Sequence, residues 1–148
     1  MFQEFLKNYL ESEIHKQAKP IYLEQPFSFK IGDLKIGGKI DRVDELPNGD
    51  IEIIDYKSGK VSKDTDEGLQ LTIYAIAASE MFGKPVDKIK LCYYFLETGE
   101  KITSVRTKEQ LEDAKKELLK IRDEIQKSDF SCSHSLFCEN CEFKMLCG

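Results

Sequence analysis

Three charged residues stand where strand-like sequence would bury them. They are Asp41 in GKIDRVDE, and Asp55 with Lys57 in IEIIDYKSG, on either side of Pro47-Asn48-Gly49. Two carboxylates and an amine brought together can hold a divalent cation and act on a phosphoryl group beside it. Whether the three meet depends on the turn between them.

A two-residue Asn48-Gly49 loop would put Pro47 at the closing position, where a backbone N–H is wanted and proline has none. A three-residue loop fits instead. Pro47 takes the first position of a type I turn, Asn48 the second, and Gly49 the left-handed position that forms a bulge. Leu46 then pairs with Asp50, and counting outward sets Asp41 opposite Asp55, on the face that Lys57 shares two residues on. With the shorter loop Asp41 would face Tyr56 and the constellation would scatter. Carboxylates so close repel, which favours a raised pKa or bound Mg²⁺ or Mn²⁺, ions suited by all-oxygen ligation; removing one carboxylate is expected to relieve the repulsion. Lys57 is placed to orient a nucleophile or to stabilise charge developing on a phosphate. The plainer alternative is an ion-pair ladder on a solvated sheet face.

The surrounding pattern supplies elements to carry these residues. Apolar positions at helical spacing run from residue 2 to about 17. Phe27, Phe29 and Ile31 alternate with polar residues, Gly32-Asp33 turns the chain, and Leu34 and Ile36 resume the alternation. The second hairpin, 39–46 with 50–57, follows. A helix is expected over 66–82 with Gly83 as its stop, a buried strand over 88–96, and a short partner strand over 101–106. Thr107 and Gln110 form a capping box that opens a helix striped by Leu111, Ala114, Leu118, Ile121 and Ile125.

The chain has 148 residues, 41% hydrophobic and 33% charged, a size and composition for one compact domain. No apolar run approaches the roughly 20 residues that span a bilayer, and the N-terminus lacks the pattern of a secretory signal, so a cytoplasmic protein is expected. A net charge of -5 argues against a generally phosphate-coating surface, though not against a local site that meets phosphate through a cation. Five cysteines in such a chain point to metal or cluster ligation rather than disulfides.

The ordered run GKIDRVD, IIDYKSGK and QLTIY resembles the RecB-type branch of the PD-(D/E)XK nuclease superfamily, which includes RecB- and AddB-like nucleases and CRISPR-associated exonucleases. The resemblance covers about residues 20 to 148. It implies an α/β, restriction-endonuclease-like core: a mixed central sheet flanked by helices, with a cysteine-rich C-terminal segment. A single domain is expected, with an N-terminal helix over 1–20, a nuclease core over 21–128 and the cysteine-rich segment over 129–148. Asp41 and Asp55 would be the metal-binding carboxylates, the backbone carbonyl of Tyr56 a further ligand, and Lys57 the catalytic lysine. Gln70 and Tyr74 match the QxxxY motif, four residues apart on one helix face. The implied activity is Mg²⁺- or Mn²⁺-dependent hydrolysis of DNA, with exonuclease action favoured, as a module of a helicase–nuclease or repair protein that meets single-stranded or resected DNA. The family's metal-ligating histidine lies on a helix upstream of the first aspartate. Only His15 is available here, in a different local context, so the expectation is a chain that starts downstream of that helix. A non-catalytic DNA-binding or scaffold module with the same fold is the alternative.

Cys138, Cys141 and Cys147 follow a C-x2-C-x5-C pattern. In the relatives three such cysteines join a fourth to hold a [4Fe–4S] cluster, and Cys132 is the fourth candidate here. Thiolates suit zinc equally, and His134 leaves a zinc site open. Cys92, in LCYYF, reads as a small buried hydrophobe.

Overall fold

A computed structural model of the chain describes residues 2–11, 19–59, 61, 68–129, 138–140 and 142. In chain order the elements are α1 (Phe2–Glu11), β1 (Lys19–Ile31), β2 (Leu34–Glu45), β3 (Ile51–Lys57), α2 (Leu69–Phe82), β4 (Ile89–Phe95), β5 (Lys101–Val105) and α3 (Lys108–Lys127). Short 3-10 turns occupy Val86–Lys88 and Cys138–Asn140. The five strands form one mixed sheet in the order β1-β2-β3-β4-β5. Only β3 and β4 run parallel, joined through α2; the other neighbours are antiparallel.

Burial explains the layers. On one sheet face Ile51, Ile53, Leu91, Tyr93 and Phe95 pack with α2 and with Leu111 and Ala114 of α3. Helix α2 buries Leu71, Thr72 and Tyr74 to Ala78, an apolar girth that suits a covered helix rather than a surface one. On the other face Ile54, Cys92 and Tyr94 are buried, with Tyr9 of α1 and Tyr56 packed against them. The thiol of Cys92 is pushed up to about 12, first by burial. Among the described residues no helix is long and apolar enough to cross a membrane.

The β2–β3 hairpin takes the register that its turn chemistry demands. Arg42 pairs with Ile54, Val43 with Ile53, Asp44 with Glu52 and Glu45 with Ile51. Leu46 N–H donates to the Asp50 carbonyl at 2.9 Å, Gly49 N–H to the Leu46 carbonyl at 2.8 Å, and Gly49 sits at φ 83°. The ladder ends at Arg42–Ile54, and its register carried one step further leads to Asp41 and Asp55.

Strand β1 departs from the simple hairpin expected around Phe27. It begins at Lys19, includes Pro20 and Pro26, and bends at Glu24, whose φ of 52° is uncommon for a side-chain-bearing residue. Between the pairs Leu23–Arg42 and Gln25–Ile40, Glu24 and Asp41 drop out of the ladder. The strands change face there. Tyr22 packs on Phe82 of α2 and Val43 is in the core, whereas beyond the bend the buried residues are Phe27, Phe29 and Ile40. Helix α2 starts at Leu69, later than the periodicity suggested, because Gly68 is extended (φ -62°, ψ 126°). The capping box of α3 is formed: Gln110 N–H donates to Thr107 Oγ1 at 3.2 Å and Thr107 N–H to Gln110 Oε1 at 2.8 Å.

Because Gly49 holds the left-handed position of the register-setting turn, Gly49→Ala should destabilise the fold by about 1–2 kcal/mol, the cost of placing a Cβ in that conformation. Urea unfolding measures it, and an unchanged midpoint would mean that the turn relaxes freely.

Candidate active site

The gap opened where β2 leaves β3 is where the charged residues gather. Asp41 does not continue the ladder; its Oδ2 accepts the Tyr56 backbone N–H at 3.0 Å, standing in for a strand carbonyl. Alternation along β3 sends Asp55 and Lys57 to the α2 face and Tyr56 to the opposite one. Asp55, 3% exposed, is held by the first turns of α2. Its Oδ1 lies 3.2 Å from Gln70 Nε2 and 3.3 Å from the Tyr74 hydroxyl. Its Oδ2 is buried without a hydrogen bond. Lys57 Nζ lies 2.7 Å from that oxygen, an ion pair whose angles are not those of a hydrogen bond.

Gln70 ties the set together. Its Oε1 accepts from Lys57 Nζ at 2.8 Å, and its Nε2 donates to Tyr74 Oη at 2.9 Å. Tyr74 also lies 3.3 Å from the Lys39 carbonyl, so its one proton serves either that oxygen or Asp55. Lys57 Nζ stands over the Tyr93 ring, 5.0 Å from its centroid. Burial, opposed in part by the Gln70 hydrogen bond and reinforced by the charges of Asp55 and Asp41, pushes the Tyr74 phenol up to about 12.

Asp41, Asp55, Tyr56, Lys57, Gln70 and Tyr74 are thus brought to one place. The repulsion expected between two free carboxylates is only part of the account, since Asp41 is already engaged by a backbone amide. Sequence reasoning passed over Arg42 and Asp44, buried on the reverse face of β2, and the part played by the Lys39 carbonyl. The period-2 alternation that marked Asp41 would have marked the other pair too. Of the cysteine candidates only Cys138 is described, half-buried on its 3-10 turn; Cys132, Cys141, Cys147, His15 and His134 lie outside the described residues. Among the described residues no group of three or more His, Cys, Asp or Glu side chains could hold a metal ion. A cation in the gap would therefore draw on two carboxylates and backbone oxygen.

A mixed sheet whose strands part beside two aspartates, with a lysine two residues after the second, defines a class, and a direct comparison agrees. The family model for the PD-(D/E)XK nuclease superfamily matches residues 1–148, and the chain belongs to that superfamily. Among solved structures, an exonuclease candidate from Eubacterium rectale is similar at TM-score 0.58 over 93% of this chain, with 12% identity. The crystal structure of SSO0001 is similar at TM-score 0.53 over 99% of this chain, with 19% identity. At these identities the likeness is one of fold. The chain spans 58% of the first protein and 66% of the second. No curated protein matches it.

The Tyr74 phenol gives a pH signature. Its stabilising contribution is whole below pH 10, where both folded and unfolded chains keep it neutral, and is lost as pH rises to about 12, because the unfolded chain ionises first. Tyr74→Phe should remove one phenolate absorbance step near the upper end of that window and flatten the fall of stability across it. A Tyr74 that ionises with the exposed tyrosines would contradict the buried geometry.

Proposed function

We propose that the chain is a Mg²⁺- or Mn²⁺-dependent deoxyribonuclease of the RecB-type branch. In this reading it acts on DNA ends in the cytoplasm as an exonuclease module of a helicase–nuclease or repair protein. One observation carries the catalytic part: the buried Asp55 Oδ2, without a hydrogen bond, opposite Asp41 in the gap between β2 and β3. The Lys57 ammonium, 2.7 Å away, balances that charge, and a divalent cation in the gap would take up the lone pairs that no hydrogen bond uses. The Tyr56 carbonyl supports the same reading. Its N–H points across the gap to Asp41, while the Lys57 carbonyl points the other way, to Leu96 N–H at 2.9 Å. Strand alternation therefore turns the Tyr56 carbonyl into the gap beside the two carboxylates.

Asp41, Asp55 and the Tyr56 carbonyl would hold the ion. A divalent cation there would polarise a phosphoryl oxygen and lower the pKa of a bound water. Lys57 stabilises the charge that develops on the phosphate, its ammonium kept in position by Gln70 Oε1 and the Tyr93 ring. Gln70 and Tyr74 hold Asp55 in a single orientation, so that the carboxylate need not reorganise as the scissile group arrives.

Cys132, Cys138, Cys141 and Cys147 are proposed as ligands of a [4Fe–4S] cluster, with zinc as the second candidate; the resemblance to RecB-type nucleases favours the cluster, while the spacing suits either. Iron, sulfide and zinc analysis of the purified chain distinguishes the two, and absence of all three would end the ligation idea.

Cleavage of linear single- and double-stranded DNA with Mn²⁺ tests the nuclease reading. Lys57→Ala should keep metal binding and slow hydrolysis by about 10² to 10³, the scale of one lost transition-state charge stabiliser. Asp41→Asn keeps an acceptor for the Tyr56 amide, so it should fold normally while losing both metal and cleavage. Cleavage unchanged in both variants would mean that the active site lies elsewhere.

A further inference from the structure

Tyr56 reaches through the sheet to the face opposite Asp55 and Lys57, and what it meets there is a buried polar cluster. The Arg42 side chain is 3% exposed and that of Asp44 0%. The guanidinium forks onto the carboxylate, Nε to Oδ1 at 2.6 Å and Nη2 to Oδ2 at 2.7 Å. Its remaining arm, Nη1, reaches the Tyr9 hydroxyl at 3.0 Å and the Tyr56 hydroxyl at 3.5 Å. The two phenols hydrogen-bond each other at 2.5 Å. The rings of Tyr9, Tyr56 and Tyr94 meet edge to face, with centroids 5.5 to 6.0 Å apart. Burial works against the Arg42 charge, and the hydrogen bonds to Asp44 and Tyr56 more than offset it.

We propose that Tyr56 is a positioning residue for the cation site: its phenol, gripped by Arg42 and Tyr9, fixes the backbone of residue 56, whose N–H holds Asp41 and whose carbonyl faces the gap. This rests on reading the gap as a cation site. The two ends of Tyr56 serve different faces, and nothing in the β2–β3 ladder holds residue 56 in place, because the ladder ends at Arg42–Ile54. On the β4 side residue 56 is registered with Tyr94, and on the β2 side, where Asp41 takes the amide, the phenol adds an anchor from the reverse face. A buried ion pair adds little net stability over packed apolar side chains, but its fork geometry fixes a direction. Arg42 is itself the last β2 residue of the ladder, held in direction by its fork to Asp44, and its Nη1 reaches Tyr56 across the point where the strands part. Asp41 is the immediate neighbour of Arg42 on β2, so the carboxylate and the Tyr56 carbonyl are set from two strands that the Arg42 guanidinium ties together.

Calorimetry of Mn²⁺ binding to the full chain tests this with Tyr56→Phe, which removes one oxygen and keeps the ring against Tyr94. Affinity should weaken by about tenfold, the scale for removing a group that orients a ligand from behind. In the metal-free protein the amide at residue 56 should exchange faster with deuterium, while that of Ile53 is unchanged. Arg42→Lys, which keeps the charge beside Asp44 but loses the fork, should reproduce both effects. Ile54→Val, on the same face but outside the hydrogen bonds, should lower Tm without weakening Mn²⁺ binding. Unaltered Mn²⁺ affinity in Tyr56→Phe, or an equal loss in Ile54→Val, would overturn the positioning role alone. Absence of Mn²⁺ binding by the unmutated chain would overturn the cation site and the positioning role with it.

Discussion

A side chain takes the place of a strand in this protein, and the rest of the site depends on that exchange. Where Asp41 Oδ2 accepts the Tyr56 amide, the β2–β3 ladder gives up a backbone partner for a carboxylate. The strands can then part without leaving the amide unpaired, an omission that would cost about 1–3 kcal/mol. The parting is prepared on the far side as well. Glu24 adopts its left-handed conformation opposite Asp41, so β1 and β2 turn over together and the sheet stays continuous along its other edge.

Around this gap the polar groups are arranged in two layers, one on each side of the sheet. On the α2 side Gln70 works in both directions, accepting from Lys57 and donating toward Asp55 and Tyr74, and so sets the relative positions of a cation and an anion. On the reverse side Arg42 and Asp44 are closed off from water among tyrosines. Each layer alone would be an expensive burial of charge. Together they bracket one strand segment, Asp55 to Lys57, whose alternate side chains belong to different layers.

Much of this arrangement was legible because it rests on local rules. Pro47 lacks an N–H and Gly49 accepts a positive φ, and those two facts alone fix the pairing of Leu46 with Asp50 and hence the ladder that runs out at Arg42–Ile54, one residue short of Asp41 and Asp55. The four-residue spacing of Gln70 and Tyr74 guarantees a shared helix face wherever α2 packs. What escaped the sequence was set by tertiary contact. Nothing local about Glu24 announces a left-handed bend. The burial of Arg42 and Asp44 depends on Tyr9 of α1 and Tyr56 of β3, which lie far from them in the chain. The start of α2 depended on the conformation of Gly68, which periodicity does not report.

The bend at Glu24 has a further effect at the rim of the sheet. Strand β1 is 13 residues long, lies at an edge, and exposes Tyr22 and Leu23, at 45% and 67%. A straight strand of that kind would be an open template for a foreign strand and a start for fibrillar stacking. Pro20 and Pro26 each remove a donor, and the left-handed Glu24 between them turns the backbone out of line, so that no long uninterrupted row of amides faces outward. The same distortion that opens the gap beside Asp41 also blunts the margin of the sheet against self-association.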